Sequence, residues 1–156
     1  MTLLNQNLFA QVPVLGMMDL KFNTQTISAE IDSSQVGSLV AGQAVKLVDS
    51  AGGVPKVVAC TANSDLVFGV IAYDLKDQSF VAGSKVEIAA GFGNVMYLTA
   101  NGAISRGAKV SLDSSGVGTV VASASGHPIM GWAYDKGVNV GDLIRVYLVL
   151  PAYFID

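Results

Sequence analysis

Catalysis requires a nucleophile beside a base, a pair of carboxylates or a cluster of metal ligands, and this 156-residue chain offers few candidates for any of them. His127, the single histidine, stands before Pro128 at the end of Ser123-Ala124-Ser125-Gly126. A lone loop histidine reads as a surface residue, and one histidine cannot make a multi-histidine metal site within a chain. Cys60 is the single cysteine, which excludes an internal disulfide and a cysteine-rich zinc site. In strand-like surroundings it reads as a small core residue rather than a nucleophile. No serine is framed as Gly-Xaa-Ser-Xaa-Gly, and no phosphate loop or dinucleotide fingerprint follows a strand. The repeated polar signature is Tyr73-Asp74 and Tyr134-Asp135. Adjacent strand residues face opposite sides, so each Asp is expected to end a strand and accept turn amides, with the Tyr covering the core edge. Asp74→Asn with Asp135→Asn is then expected to change stability only slightly. Asp49, Asp113 and Asp142 fall in turns. The expectation is no enzyme, no catalytic, cofactor-binding or metal residue, and no cofactor.

The elements around that signature repeat. Phe68-Gly69-Val70-Ile71-Ala72-Tyr73-Asp74 returns as Met130-Gly131-Trp132-Ala133-Tyr134-Asp135. Upstream, Ala41 to Leu47 and Val57-Val58-Ala59 are answered by Arg106 to Leu112 and Val120-Val121-Ala122. Downstream, Val81 to Ile88 is echoed by Val140 to Val146. The offset is 65 residues from Val45 to Val110 and 61 from Tyr73 to Tyr134, a difference that turn lengths absorb. Repetition of this kind marks a duplicated building unit, read as four short strands per copy. Gly91-Phe92-Gly93 to Leu98 reads as a strand joining the copies, and Asn101-Gly102 as a hairpin turn. Asp49 to Gly53 and Asp113 to Gly116 read as further turns, and Pro55 suggests an edge strand.

Apolar residues make up 51% of the chain and charged ones 13%, against roughly 25% charged in an average soluble protein. So few charges imply that much of the surface is covered. No run approaches the ~18 apolar residues of a membrane span, so the expected cover is protein rather than lipid. A net charge of −3 with two arginines, Arg106 and Arg145, supplies no basic face for nucleic acid. No basic leader opens Met1 to Gln6, which suggests synthesis and retention in a cytoplasm. Residues 1–36 mix Asn and Gln with Leu3, Leu4, Leu8, Phe9, Val14, Leu15 and Met17, and carry a short strand only around Thr26 to Ile31. We read an extended arm that orders on a partner, or alternatively folds back over its own domain. Residues 37–150 form the β domain. Pro151 ends the last strand, and residues 151–156 make an apolar tail with Tyr153, Phe154 and Ile155 that is expected to dock.

The arm, the Ala41-Gly42-Gln43-Ala44-Val45-Lys46-Leu47 opening and the closing Val140-Gly141-Asp142-Leu143-Ile144-Arg145-Val146 strand together resemble the capsid decoration, or cement, proteins of tailed bacteriophages, most closely the β-tulip group that includes the phage lambda head decoration protein. The resemblance implies an all-β fold: a small β-barrel, β-tulip-like, built from two similar units behind an extended arm. It implies a structural virion protein on the outer surface of the phage capsid that stabilises the head, made in the bacterial host cytoplasm. Its partners would be the major capsid protein and neighbouring decoration subunits, in a homotrimer or alternatively a homodimer, with no nucleic acid and no membrane. Leu3, Leu4, Leu8, Phe9, Val14, Leu15 and Met17 of the arm, with Tyr153, Phe154 and Ile155 of the tail, become the candidate capsid or subunit contacts. The competing reading is a carbohydrate-binding or fibre-associated β-module. That reading needs exposed aromatics, and Trp132 between Gly131 and Ala133 suits a core or subunit interface better.

Overall fold

A computed structural model describes residues 13–19, 24–49, 52–74, 76–116 and 118–151. These residues contain strands and no helix: β1 (Thr26–Ile31), β2 (Leu39–Val40), β3 (Ala44–Val48), β4 (Lys56–Ala59), β5 (Gly69–Ile71), β6 (Ser79–Phe80), β7 (Lys85–Ala89), β8 (Gly91–Ala100), β9 (Lys109–Asp113), β10 (Thr119–Ala122), β11 (Ile129–Ala133) and β12 (Leu143–Leu150). Five of them close a barrel in the cycle β1-β4-β3-β5-β7, and five more close a second as β8-β10-β9-β11-β12. The two cycles are the same path. In each, the first strand runs parallel to the third and antiparallel to the last.

The duplication is therefore present, and each copy closes a barrel of its own. A copy has five staves where the sequence suggested four. The fifth is β1 in one and β8 in the other, so the strand expected at Thr26 to Ile31 is a barrel stave, and the supposed linking strand from Gly91 opens the second barrel. Closure also removes the edge expected after Pro55. That residue sits one position before β4, where its missing N–H costs no ladder bond, and β4 is flanked by β1 and β3. Asn101-Gly102 does not make a hairpin, because β8 pairs with β10 and β12 and not with β9. The chain instead crosses the barrel end, with Asn101 Nδ2 donating to Asp113 Oδ2 and Ile104 bridging to Gly137.

Each barrel interior follows from strand alternation. Ile31, Val45, Val57, Ile71 and Ile88 fill the first, capped by Leu39 and Phe80 from the β2–β6 ribbon. Met96, Leu98, Val110, Met130, Ile144 and Leu148 fill the second. The same second core takes in Ala44, Val70 and Ala89, which alternate with Val45, Ile71 and Ile88. β5, with the adjoining ends of β3 and β7 at Ala44 and Ala89, is thus buried on both sides, one lining its own barrel and the other packed on the neighbour. Double burial explains the unbroken Val70-Ile71-Ala72 run, and it hides part of the low-charge surface within the molecule.

Candidate functional site

The segment from Val14 to Asp19 lies in the seam between the barrels. It runs along the flank of β8 left open where β10 pairs only with Thr99 and Ala100. Gly16 N donates to Tyr97 O at 2.9 Å, Tyr97 N to Met17 O at 2.9 Å and Asp19 N to Val95 O at 2.8 Å, while Tyr73 N of the first barrel donates to Gly16 O at 2.9 Å. Leu15 packs against the second core. A Cβ on Gly42 would fall 2.5 Å from Leu15 Cγ, and one on Gly118 2.6 Å from Leu15 Cδ1. One glycine comes from each barrel, so together they form the socket that receives Leu15. For these residues the fold-back alternative is the one realised, because stretches of open strand flank and a two-sided apolar socket were both within the chain's own reach.

Arg145 of β12 fastens the end of this segment. Its Nε and NH2 donate to Asp135 Oδ2 and Oδ1, both at 2.8 Å, and NH1 donates to Asp19 Oδ2 at 3.1 Å. The backbone N of Arg145 also donates to Asp135 Oδ2 at 3.1 Å, and the guanidinium lies 4.5 Å from the Tyr134 ring centroid. Hydrogen bonding to Asp135 raises the pKa of Arg145, and the same bonds lower that of Asp135 despite its partial burial. A two-pronged guanidinium–carboxylate contact gains geometry as well as charge. Asp135 is therefore a partner in a clasp, a role that turn chemistry did not anticipate. Asp74 does match the turn reading: its Oδ1 accepts Lys76 N at 2.8 Å.

Sequence reasoning also passed over Asn94, which is 1% exposed. Its Oδ1 accepts Gln25 N at 2.8 Å, and its Nδ2 donates to Gln25 O and Ala90 O, each at 2.9 Å. It ties the entry of β1 to the link between β7 and β8. An Asn beside a strand glycine, here Gly93 with φ +97° at the β8 bulge, was the available signal.

Of the predicted contact residues, Val14 is 37% exposed, Leu15 and Met17 are half-buried, and Leu3, Leu4, Leu8, Phe9, Tyr153, Phe154 and Ile155 lie outside the described residues. Trp132 is not in a core: it stands opposite Tyr147 on the outer face of β11 and β12, the two being 38% and 37% exposed. A bulge between Ile129 and Gly131 sets this facing, turning Met130 and Ala133 inward and Trp132 outward. A cavity of about 470 Å³ is lined by Ser28, Tyr73, Asp74, Asp77, Lys85 and Glu87 together with apolar Ala72, Phe80 and Val86. His127 is not part of it, nor does it meet Asp135. Burial pushes the Cys60 thiol up to about 12, which fits the core role. Among the described residues no three His, Cys, Asp or Glu side chains group as metal ligands.

The described residues thus form two closed barrels with Val14 to Asp19 seated in the seam between them and Trp132 and Tyr147 on the outside. Residues 20–148 match the XM1 gp53 minor capsid protein family, and the chain belongs to that family. It is thereby a structural protein of a phage virion. Among solved structures it is similar in fold to the head fiber gp8.5 N base of bacteriophage phi29, with a TM-score of 0.55 and 11% identity over 85% of this chain and 99% of that one. No match is found among curated proteins.

Proposed function

We propose that this chain binds the outer surface of the phage capsid and reinforces the head, as a decoration or cement protein does. The observation that carries the reading is the seam. With Leu15 in its glycine socket and Asp19 held by Arg145, the chain is fixed in place from Val14 onward, next in sequence to the anchors proposed for the capsid, Leu3, Leu4, Leu8 and Phe9, and Val14 itself is exposed. An arm tethered in this way contributes backbone pairing and pocket-filling side chains to a capsid partner. The major capsid protein is the partner proposed, with neighbouring copies assembled as a homotrimer, so that several arms bind the lattice at once.

Co-sedimentation with expanded, undecorated heads tests this. The full chain is expected to saturate at a fixed number of copies per shell. Deleting residues 1–12 is expected to weaken binding at least about tenfold, equivalent to about 1.4 kcal/mol, while leaving the body folded. Unchanged binding by the shortened protein would remove the arm from the account, and no binding by the full chain would remove the capsid role. A deletion reaching residue 36 would not serve, since it takes away β1.

The exposed pair Trp132 and Tyr147, opposite one another on neighbouring strands, supports a second reading, a fibre-associated or carbohydrate-binding module, because exposed aromatics on a sheet face suit sugar rings. Glycan-array binding that disappears in Trp132→Ala would favour it. An array without signal would return the pair to a subunit interface.

A further inference from the structure

The contact between the barrels has two sides, and each side has a counterpart that the molecule leaves uncovered. On the first barrel the contact is made by Ala44, Val70 and Ala89, neighbours across β3, β5 and β7 that are buried with the second core. On the second it includes Leu112 and Ser114, which border a cavity of about 190 Å³ with Ala44 and Cys60. Ser114 N also donates to Asn63 Oδ1 of the first barrel at 2.7 Å. Because the barrels are duplicates, strand register fixes the counterpart of each residue. Val45 lies opposite Gly69 as Val110 lies opposite Gly131, so Ala44, Val70 and Ala89 correspond to Lys109, Trp132 and Tyr147, which are themselves neighbours across β9, β11 and β12. Leu47 lies opposite Val57 as Leu112 lies opposite Val120, so Leu112 and Ser114 correspond to Leu47 and Asp49. Where Leu112 is 5% exposed, Leu47 is 52% exposed, and Asp49, Lys109 and Trp132 also face solvent.

We propose that these two uncovered faces bind each other between copies: the Lys109–Trp132–Tyr147 face of one chain receives the Leu47–Asp49 end of the first barrel of the next. The inference rests on the homotrimer of the proposed function and says which surfaces build it. A second copy is the occupant because the contact continues one that the chain already makes with itself. Charge agrees, since Ala44 and Ser114 border one cavity and their counterparts Lys109 and Asp49 carry opposite signs. Shape agrees as well. Trp132 is larger than its counterpart Val70, and Leu47 opens with Leu66 and Phe68 onto an apolar groove of about 530 Å³ that has room for such an anchor. A contact between two different faces repeats from copy to copy until a ring closes, whereas Trp132 faces meeting each other would stop at pairs.

Light scattering on a sizing column, with the full chain and no phage heads, tests the inference. The wild type is expected to run as a trimer. Trp132→Glu and Leu47→Lys each place an unpaired charge in the contact, and each is expected to run as a single chain that keeps a cooperative melt, because both side chains are exposed. Mixing the two variants is the decisive step. One retains its Leu47 end and the other its Trp132 face, so a complex of one copy of each is expected. Asp49→Lys, at an exposed position after β3, sets a like charge against Lys109 and is expected to weaken assembly at least about tenfold with no change in folding. A wild-type chain that stays single at every concentration, an assembly that survives either Trp132→Glu or Leu47→Lys, or a mixture that does not pair would overturn the inference. A single wild-type chain with Trp132-dependent glycan binding would overturn it in favour of a sugar. Such a failure leaves capsid binding standing, because co-sedimentation judges that separately.

Discussion

Gly131→Ala is expected to cost more than about 3 kcal/mol, at the upper end of overpacking effects, and to lower the melting midpoint by roughly 6–12 °C for a chain of this size. The cause is steric. A Cβ at Gly131 would lie 2.0 Å from Tyr147 O, 2.9 Å from Tyr147 C and 3.2 Å from Leu148 Cα. All three are backbone atoms of β12, the strand that joins β11 to β8. No rotamer change can clear them, so β11 and β12 must separate. Positive φ plays no part, since Gly131 is not among the glycines that adopt it. Gly69 occupies the equivalent place in the first barrel, opposite Val45 as Gly131 is opposite Val110. A Cβ there would meet Ile88 Cγ2 at 2.1 Å and Ala89 O at 3.0 Å. The nearest atom there is a side-chain methyl rather than backbone, but Ile88 is β-branched and fully buried, so Gly69→Ala is expected to cost about 2–3 kcal/mol, less than Gly131→Ala. Thermal melts of the two single variants measure the difference. Equal or negligible shifts would mean that β11 and β12 do not approach as closely as described.

Arg145→Ala should cost about 2–3 kcal/mol and loosen the Asp19 end of the Val14 to Asp19 segment. Removing one member of a buried ion pair costs roughly 3–5 kcal/mol, and the lower figure allows for the partial exposure of Arg145 and Asp135, 25% and 26%, beside an Asp19 at 9%. Arg145→Lys keeps the charge and loses the two-pronged contact, so it should fall between. Asp135→Asn should cost about 1–2 kcal/mol, whereas Asp74→Asn, which touches only a turn amide, should stay within about 0.5 kcal/mol. The two aspartates of the repeated signature thus separate, contrary to the small combined effect that turn chemistry implied.

The clasp also has a pH signature. Hydrogen bonding from Arg145 holds the Asp135 pKa below its ordinary 3.8. A depressed carboxylate stabilises the fold above its unfolded pKa, and that contribution is lost as pH falls through the lower folded value. Below about pH 4 the wild type should lose stability with a component that Arg145→Ala lacks. Urea melts between pH 2.5 and 7, together with hydrogen exchange at Gly16 and Asp19, would read both effects. Parallel acid profiles, or unchanged protection of the segment, would remove the clasp from the stability account.

The duplicated frame was legible because glycine in a strand has a cause that survives duplication. Gly69 and Gly131 mark close backbone approach in both copies, and the alternating valines around them carry the period of a stave. The fifth stave was harder to see. Thr26 to Ile31 is polar on its outer face and embedded in a segment without sustained period, and β8 gave no sign of which copy it served. Closure is a long-range property, and alternation alone says nothing of the partner on either flank. The facing of Trp132 depended on a single bulged residue, Met130, and a slip of one residue exchanges the two faces of a strand. The clasp escaped because Asp19 and Arg145 are 126 positions apart. Arg145 was nevertheless conspicuous as one of two arginines in a chain so poor in charge.

The seam bears on the order in which the molecule is completed. Translation delivers β1 to β7 first, and those strands can close a barrel before any of the second has been made. The socket for Leu15 is different: half of it is Gly42, and the other half, Gly118, emerges about a hundred residues after Leu15 itself. The last fastening, Arg145, comes later still. The Val14 to Asp19 segment therefore finds its full set of partners only after residues made much later have appeared. A product that stopped before Gly118 would leave the Val14 to Asp19 segment without half of its socket and without its clasp.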